Sequence, residues 1–126
     1  MSSLLIIEDD RDASAALAAL LRSRGHEVAC AGTAGEALGR LRHCRPDLLL
    51  LDLGLPRGVD GLDLLDALSR EPRFTDLSVV VYSGRDDPDA VAAARRSGAM
   101  DYIVKGGGWE QACRRIEECL VRAADA

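Results

Sequence analysis

Asp47-Leu48-Leu49-Leu50-Leu51-Asp52-Leu53-Gly54-Leu55-Pro56 is the stretch on which the reading of this chain turns. Four consecutive leucines leave no polar face, so a strand here is buried on both sides, as in a parallel sheet with helices above and below it. Pro46 marks the break before the run, and Asp52 is where the strand comes out into water. Toward the amino terminus, residues 4–7 form a second unbroken apolar run, closed by Glu8-Asp9-Asp10. A helix is expected from about Asp12, with Leu17, Leu20 and Leu21 on one stripe and Gly25 as its stop. A weaker strand follows over residues 27–31. Thr33 then reads as the N-cap of a short helix carrying Ala37, Leu38 and Leu41, weakened by Gly35 and Gly39.

Toward the carboxyl terminus the alternation continues. Residues 61–70 carry Leu62, Leu65 and Leu68 at helical spacing, and residues 77–82 form a fourth strand halted by Ser83-Gly84. Asp87-Pro88 reads as an N-cap followed by proline at the first helical position, opening a helix that ends near Gly98. Residues 100–104 form the fifth strand, ending at Lys105. A last helix runs from Trp109 to about Ala124, with Ala112, Cys113, Ile116 and Leu120 at core spacing and the charged run Arg114-Arg115-Ile116-Glu117-Glu118 giving its solvated face. Gly106-Gly107-Gly108 makes a flexible joint before it. Five strands alternating with five helices predict a doubly wound α/β fold in three layers.

The 126 residues are expected to form one domain, 1–126, large enough for a core but too short for two. Only Phe74, Tyr82, Tyr102 and Trp109 are aromatic, so that core is aliphatic, and Trp109 is expected to pack rather than bind. Sixteen Lys and Arg against twenty-one Asp and Glu give a net charge of −5, which repels a polyanion and argues against direct contact with nucleic acid. Cys30, Cys44, Cys113 and Cys119 form no C-x-x-C pair and lack zinc-site spacing, so free thiols in a reducing compartment are expected. The amino terminus carries no basic-then-apolar leader and no run approaches the ~20 apolar residues of a bilayer span. A cytoplasmic protein without a membrane anchor is the expectation.

In a doubly wound sheet, function collects at the carboxyl ends of the strands. Those ends supply Glu8, Asp9 and Asp10 from the first strand, Asp52 from the third, Ser83 from the fourth and Lys105 from the fifth. Each alone is simply a charge where the chain meets water; together they make a metal and phosphoryl site. Glu8, Asp9 and Asp52 bring three negative charges and Lys105 returns one, leaving −2 for Mg²⁺ to cancel. Magnesium takes oxygen ligands and keeps several waters, so these carboxylates and the backbone carbonyl of Gly54 suffice. Asp52 is the nucleophile candidate, because a carboxylate is ionised at neutral pH and can carry an acyl phosphate. Lys105 would bind one phosphoryl oxygen, the metal a second, and the Ser83 hydroxyl with the Gly84 N–H a third.

Four ordered motifs now carry a resemblance that spans the chain: the acidic run after Leu5-Ile6-Ile7; Asp47 to Pro56 followed by Asp60-Gly61; Val80-Val81-Tyr82-Ser83-Gly84; and Gly98-Ala99-Met100-Asp101-Tyr102-Ile103-Val104-Lys105. The sequence resembles the CheY-like receiver domains of two-component response regulators. That resemblance implies a flavodoxin-like sheet in the order 2-1-3-4-5. It implies Asp52 as phosphoacceptor, Asp9 as a direct Mg²⁺ ligand, Glu8 as a ligand acting mainly through water, and Asp10 as a solvated neighbour. Ser83 would be the switch hydroxyl and Tyr102 the aromatic that changes its burial when Ser83 moves, reshaping the face made by the fourth helix, fifth strand and fifth helix. The chain departs from the family at Gly106, where a cis-linked proline is usual; a trans bond and an altered loop are expected, since a cis bond without proline costs ~2.5–4 kcal/mol.

The implied partners are a sensor histidine kinase or histidine phosphotransfer protein upstream, and an effector protein or fused output domain downstream, the chain itself being a monomer or weak homodimer. It would be a signalling switch rather than an enzyme, catalysing only its own phosphotransfer and dephosphorylation. With no output domain after the last helix, it reads as a stand-alone regulator or a piece of a longer one. The rival is a degenerate receiver-like module that signals by binding alone, for which Gly106 is the main support. A phosphohydrolase is disfavoured because such enzymes need a second aspartate where Gly54 stands, and a flavodoxin-like cofactor binder because the acidic run repels phosphate.

Overall fold

A computed structural model describes residues 2–54 and 60–125; the expected loop at Leu55–Gly58 lies outside these residues. The strands are β1 (Ser3–Ile7), β2 (Glu27–Ala31), β3 (Leu48–Leu51), β4 (Val79–Ser83) and β5 (Asp101–Val104). The helices are α1 (Arg11–Ser23), α2 (Ala34–Leu41), α3 (Gly61–Arg70), α4 (Pro88–Arg96) and α5 (Trp109–Ala124). All strand pairs are parallel, in the order β2-β1-β3-β4-β5. This is the flavodoxin-like order that the resemblance implied.

The leucines of β3 explain the layering. Leu48 to Leu51 are each no more than 1% exposed, and they face alternately into two separate clusters. Leu49 and Leu51 pack with Leu5, Ile7, Val79, Val81 and Tyr102 under α2, α3 and α4. Leu48 and Leu50 pack with Leu4, Ile6, Val80, Tyr82 and Ile103 under α1 and α5. Burying each such leucine contributes about 1.5–3 kcal/mol, which is why a run with no polar face settles in the middle of the sheet.

Local capping follows the sequence closely. The Thr33 hydroxyl accepts the Glu36 N–H, and the Asp87 carboxylate accepts the Ala90 N–H with Pro88 opening the helix. Gly25, at φ +95°, ends α1 as expected. Two features differ from expectation. A 3₁₀ turn at Pro72–Phe74 precedes β4, and the Leu77 N–H turns back to the Phe74 carbonyl, so the strand begins at Val79 rather than at residue 77. Asp10, expected to be merely solvated, is the N-cap of α1, its carboxylate accepting the Asp12 and Ala13 N–H groups.

Gly61 secures the tip of β3. A side-chain carbon there would lie 2.6 Å from Leu53 Cα and 2.7 Å from the Asp52 carbonyl, so only glycine allows α3 to start against that backbone. The Gly61 N–H donates to the Leu53 carbonyl at 2.9 Å, joining helix and strand end. Among the described residues no helix is long and apolar enough to cross a membrane. The four cysteines are unpaired: Cys113 and Cys119 are buried, Cys30 is half-buried and Cys44 is exposed.

Candidate functional site

Parallel strands of similar length bring their carboxyl ends to one edge, and there the acidic residues meet. Carboxylate oxygens of Glu8, Asp9 and Asp52 all lie within 4.8 Å of one another, although Asp9 and Asp52 are 43 positions apart in the sequence. Lys105 Nζ donates to Glu8 Oε2 at 3.1 Å and to Asp52 Oδ2 at 3.3 Å. The Gly54 N–H donates to Asp52 Oδ1 at 3.3 Å, so what the structure shows of Gly54 at the site is its amide.

Electrostatics divide the carboxylates. Burial pushes the Glu8 carboxyl up to about 7, helped by its hydrogen bond with Asp52 and the Asp52 charge and opposed by Lys105. Burial also presses Asp52 upward, but the hydrogen bond from Glu8, the Lys105 charge and the Gly54 N–H outweigh it and hold Asp52 below the ordinary carboxylate value. The two carboxyls are thus pushed in opposite directions, Glu8 toward its protonated form and Asp52 toward its anion. Lys105 loses from burial but gains more from Asp52 and Glu8, and its pKa is raised.

Ser83 is buried at the end of β4, where its Oγ accepts the Arg85 N–H at 3.2 Å. Tyr102 is buried as well, and its hydroxyl donates to the Arg85 carbonyl at 2.7 Å. Burial raises the Tyr102 pKa, and a hydrogen bond with the Ser83 hydroxyl works against that rise. Arg85 thus links the two, its N–H held by Ser83 and its carbonyl by Tyr102. Gly84 is exposed beside them. The Lys105–Gly106 bond is trans, as expected, with no cis peptide among the described residues, and Gly106 lies at φ +114°.

The sequence reading missed three neighbours. Arg85 is the common partner of Ser83 and Tyr102, and Ser14 and Tyr82 line the crevice with Glu8, Asp52 and Lys105. Exposed arginines give no periodic signal, which is why Arg85 escaped notice. The crevice holds only about 10 Å³. A far larger cavity of about 580 Å³ opens at the other end of the sheet, beside Ser3, Glu27, Arg40 and His43, and includes none of the site residues. The acidic edge therefore suits chemistry on a group presented from outside, not engulfment of a small molecule.

The donor set, three clustered carboxylates beside a lysine, fits a hard divalent cation. Comparison with known proteins identifies the family. The profile of the response regulator receiver domain matches residues 4–117. The transcriptional regulatory protein AfsQ1 of Streptomyces coelicolor is 42% identical over 106 residues, covering 83% of this chain and 45% of that protein. The DNA-binding response regulator MtrA of Mycobacterium tuberculosis is 33% identical, covering 97% of this chain and 52% of that protein. The chain spans about half the length of these curated relatives. Among solved structures, a putative response regulator from Chloroflexus aurantiacus superposes with a TM-score of 0.86 at 31% identity, covering 95% of this chain and 98% of that one. NtrX from Brucella abortus gives 0.88 at 30% identity, covering 98% of this chain and 28% of that one. By sequence profile, by identity and by the arrangement of its strand-end residues, the chain belongs to the response regulator receiver domain family.

Proposed function

We propose that this chain is a phosphorylation switch whose acceptor is Asp52 and whose cofactor is Mg²⁺. The observation that carries this reading is the meeting of the Glu8, Asp9 and Asp52 carboxylates within 4.8 Å, with Lys105 bonded to two of them. Asp9, Glu8, Asp52 and the Gly54 carbonyl would hold the cation. When bound, it screens the negative charge of the acceptor and of the incoming phosphoryl oxygens.

Asp52, kept ionised by its neighbours, attacks the phosphorus of a phosphohistidine on a sensor kinase or histidine phosphotransfer protein. The P–N bond breaks as the P–O bond forms, and the electron pair leaves with the imidazole. Lys105 binds one phosphoryl oxygen, and the Ser83 hydroxyl with the Gly84 N–H binds another. Phosphorylation then draws Ser83 toward the acyl phosphate and favours the packing in which Tyr102 rotates into the space beneath it. Reversing a 100-to-1 preference takes ~5.5 kcal/mol. Two or three charge-assisted hydrogen bonds of ~1.5–3 kcal/mol each supply it.

The face of α4, β5 and α5 carries the output to an effector or a fused output domain, the chain itself acting as a monomer or weak homodimer in the cytoplasm. Its charge of −5 makes it unsuited to hold nucleic acid directly. Incubation with acetyl phosphate and Mg²⁺ followed by intact-mass measurement tests the reading. The wild type should gain one phosphoryl group and Asp52→Asn none; an unmodified wild type would sink it.

A further inference from the structure

Lys105 precedes three glycines, two of them at φ values of +114° and +86° that side-chain residues avoid. α5 then starts at Trp109, and its N-cap, Gly108, supplies no side-chain cap. Glycine has the widest conformational freedom of any residue, so this joint restrains the lysine poorly from its carboxyl side. From the other side, the Lys105 N–H is fixed to the Ser83 carbonyl at 2.8 Å, which places the backbone but not the four-carbon stem. Glu8 and Asp52 take two of the ammonium hydrogen bonds. A further contact completes its surroundings: Nζ lies 5.4 Å from the centre of the Tyr82 ring.

Tyr82 is suited to this by its place in β4. Its ring belongs to the α1 and α5 layer and is 9% exposed, packed with Ile103, Cys113 and Ile116. It lines the crevice containing Glu8, Asp52 and Lys105, and also a second small cavity of about 60 Å³ bounded by Gly107, Gly108 and Gln111. The ring is thus a shared wall between the carboxylates and the glycine joint. We infer that Tyr82 is a positioning residue: its aromatic face holds the Lys105 ammonium over Asp52, supplying the restraint that the glycine joint does not. The inference rests on the proposed role of Lys105 as the phosphoryl-binding cation, and it concerns the ring rather than the hydroxyl.

The test places leucine, phenylalanine and a series of increasingly fluorinated phenylalanines at position 82 of the full chain. Fluorine drains the ring face of negative potential while leaving its shape, so folding is not at issue along that series. Two quantities are read: the phosphorylation rate with acetyl phosphate and Mg²⁺, and the proton shift of the Lys105 ε-methylene. Tyr82→Phe should match the wild type. The rate should fall stepwise with fluorination by about 2- to 30-fold in all, the range a cation–π contact spans, with Tyr82→Leu at the slow end. The ring-induced shift should be kept in Tyr82→Phe and lost in Tyr82→Leu. A flat fluorine series, or Tyr82→Phe as slow as Tyr82→Leu, would overturn the inference, as would a methylene shift unchanged in Tyr82→Leu. Failure of the wild type itself to take a phosphoryl group is a different result: it would sink the proposed function, while the methylene shift would still report the contact.

Discussion

The β1–α1 and β5–α5 junctions both deliver charge to the same crevice, and they are built in opposite ways. At the first, Asp10 caps α1 through two backbone N–H groups, so Glu8 and Asp9 sit on a short segment fixed at both ends. At the second, three glycines lead into an uncapped helix, and Lys105 depends on Glu8, Asp52 and Tyr82 for its position. The anionic half of the site is preorganised by backbone capping, the cationic half by side-chain contacts. Substitutions should therefore act differently on the two halves.

The largest effect is expected from Lys105→Ala, which removes the only cation bonded to Asp52 among the described residues. Phosphorylation from acetyl phosphate should slow by about 10²-fold, the scale of losing one charge-stabilising donor. Mg²⁺ should bind more tightly, because the lysine no longer competes for Glu8 and Asp52; titration calorimetry reads this directly.

Next comes pH, which probes the capped half. Glu8 is raised to about 7, so below that pH a metal must displace its proton, and above it the ligand is already charged. Mg²⁺ affinity should rise by up to about tenfold per unit as pH increases toward 7 and level off above it. Glu8→Gln should remove that slope. A slope unchanged in Glu8→Gln would place the proton elsewhere.

The two junctions can then be compared by stability. Gly108→Ala forces a side chain into φ +86°, ψ 157°, a region open essentially to glycine, and should cost about 1–3 kcal/mol in urea unfolding. Asp10→Ala removes one cap and should cost about 1 kcal/mol, with phosphorylation kept. Loss of phosphorylation in Asp10→Ala would mean that the cap also aims Asp9.

Much of this was legible in the sequence because it depends on local chemistry. The leucine run, the bounds of β2 and α3, and the Thr33 and Asp87 caps follow from burial pattern and short-range hydrogen bonds. So does the convergence of Glu8, Asp9, Asp52 and Lys105, since parallel strands share one carboxyl edge. The 3₁₀ turn was hidden because Leu77 looks like the continuation of a valine-rich strand until its N–H is seen to bond to Phe74. The Tyr82 contact and the Arg85 link to Tyr102 were hidden for another reason: they join residues 23 and 17 positions apart through side-chain reach, which no periodicity records.

One consequence follows from the alternation along β4 and β5. Tyr82 and Tyr102, both close to the acidic edge, point into opposite layers of the sandwich, one beneath α1 and α5, the other beneath α3 and α4. Under the proposed role of Asp52, a phosphoryl group at the strand tips would have an aromatic neighbour on each side of the sheet through which to act. Both numbers are even; what sends the rings to opposite sides is the register, which sets Tyr102 beside Val81 and not beside Tyr82.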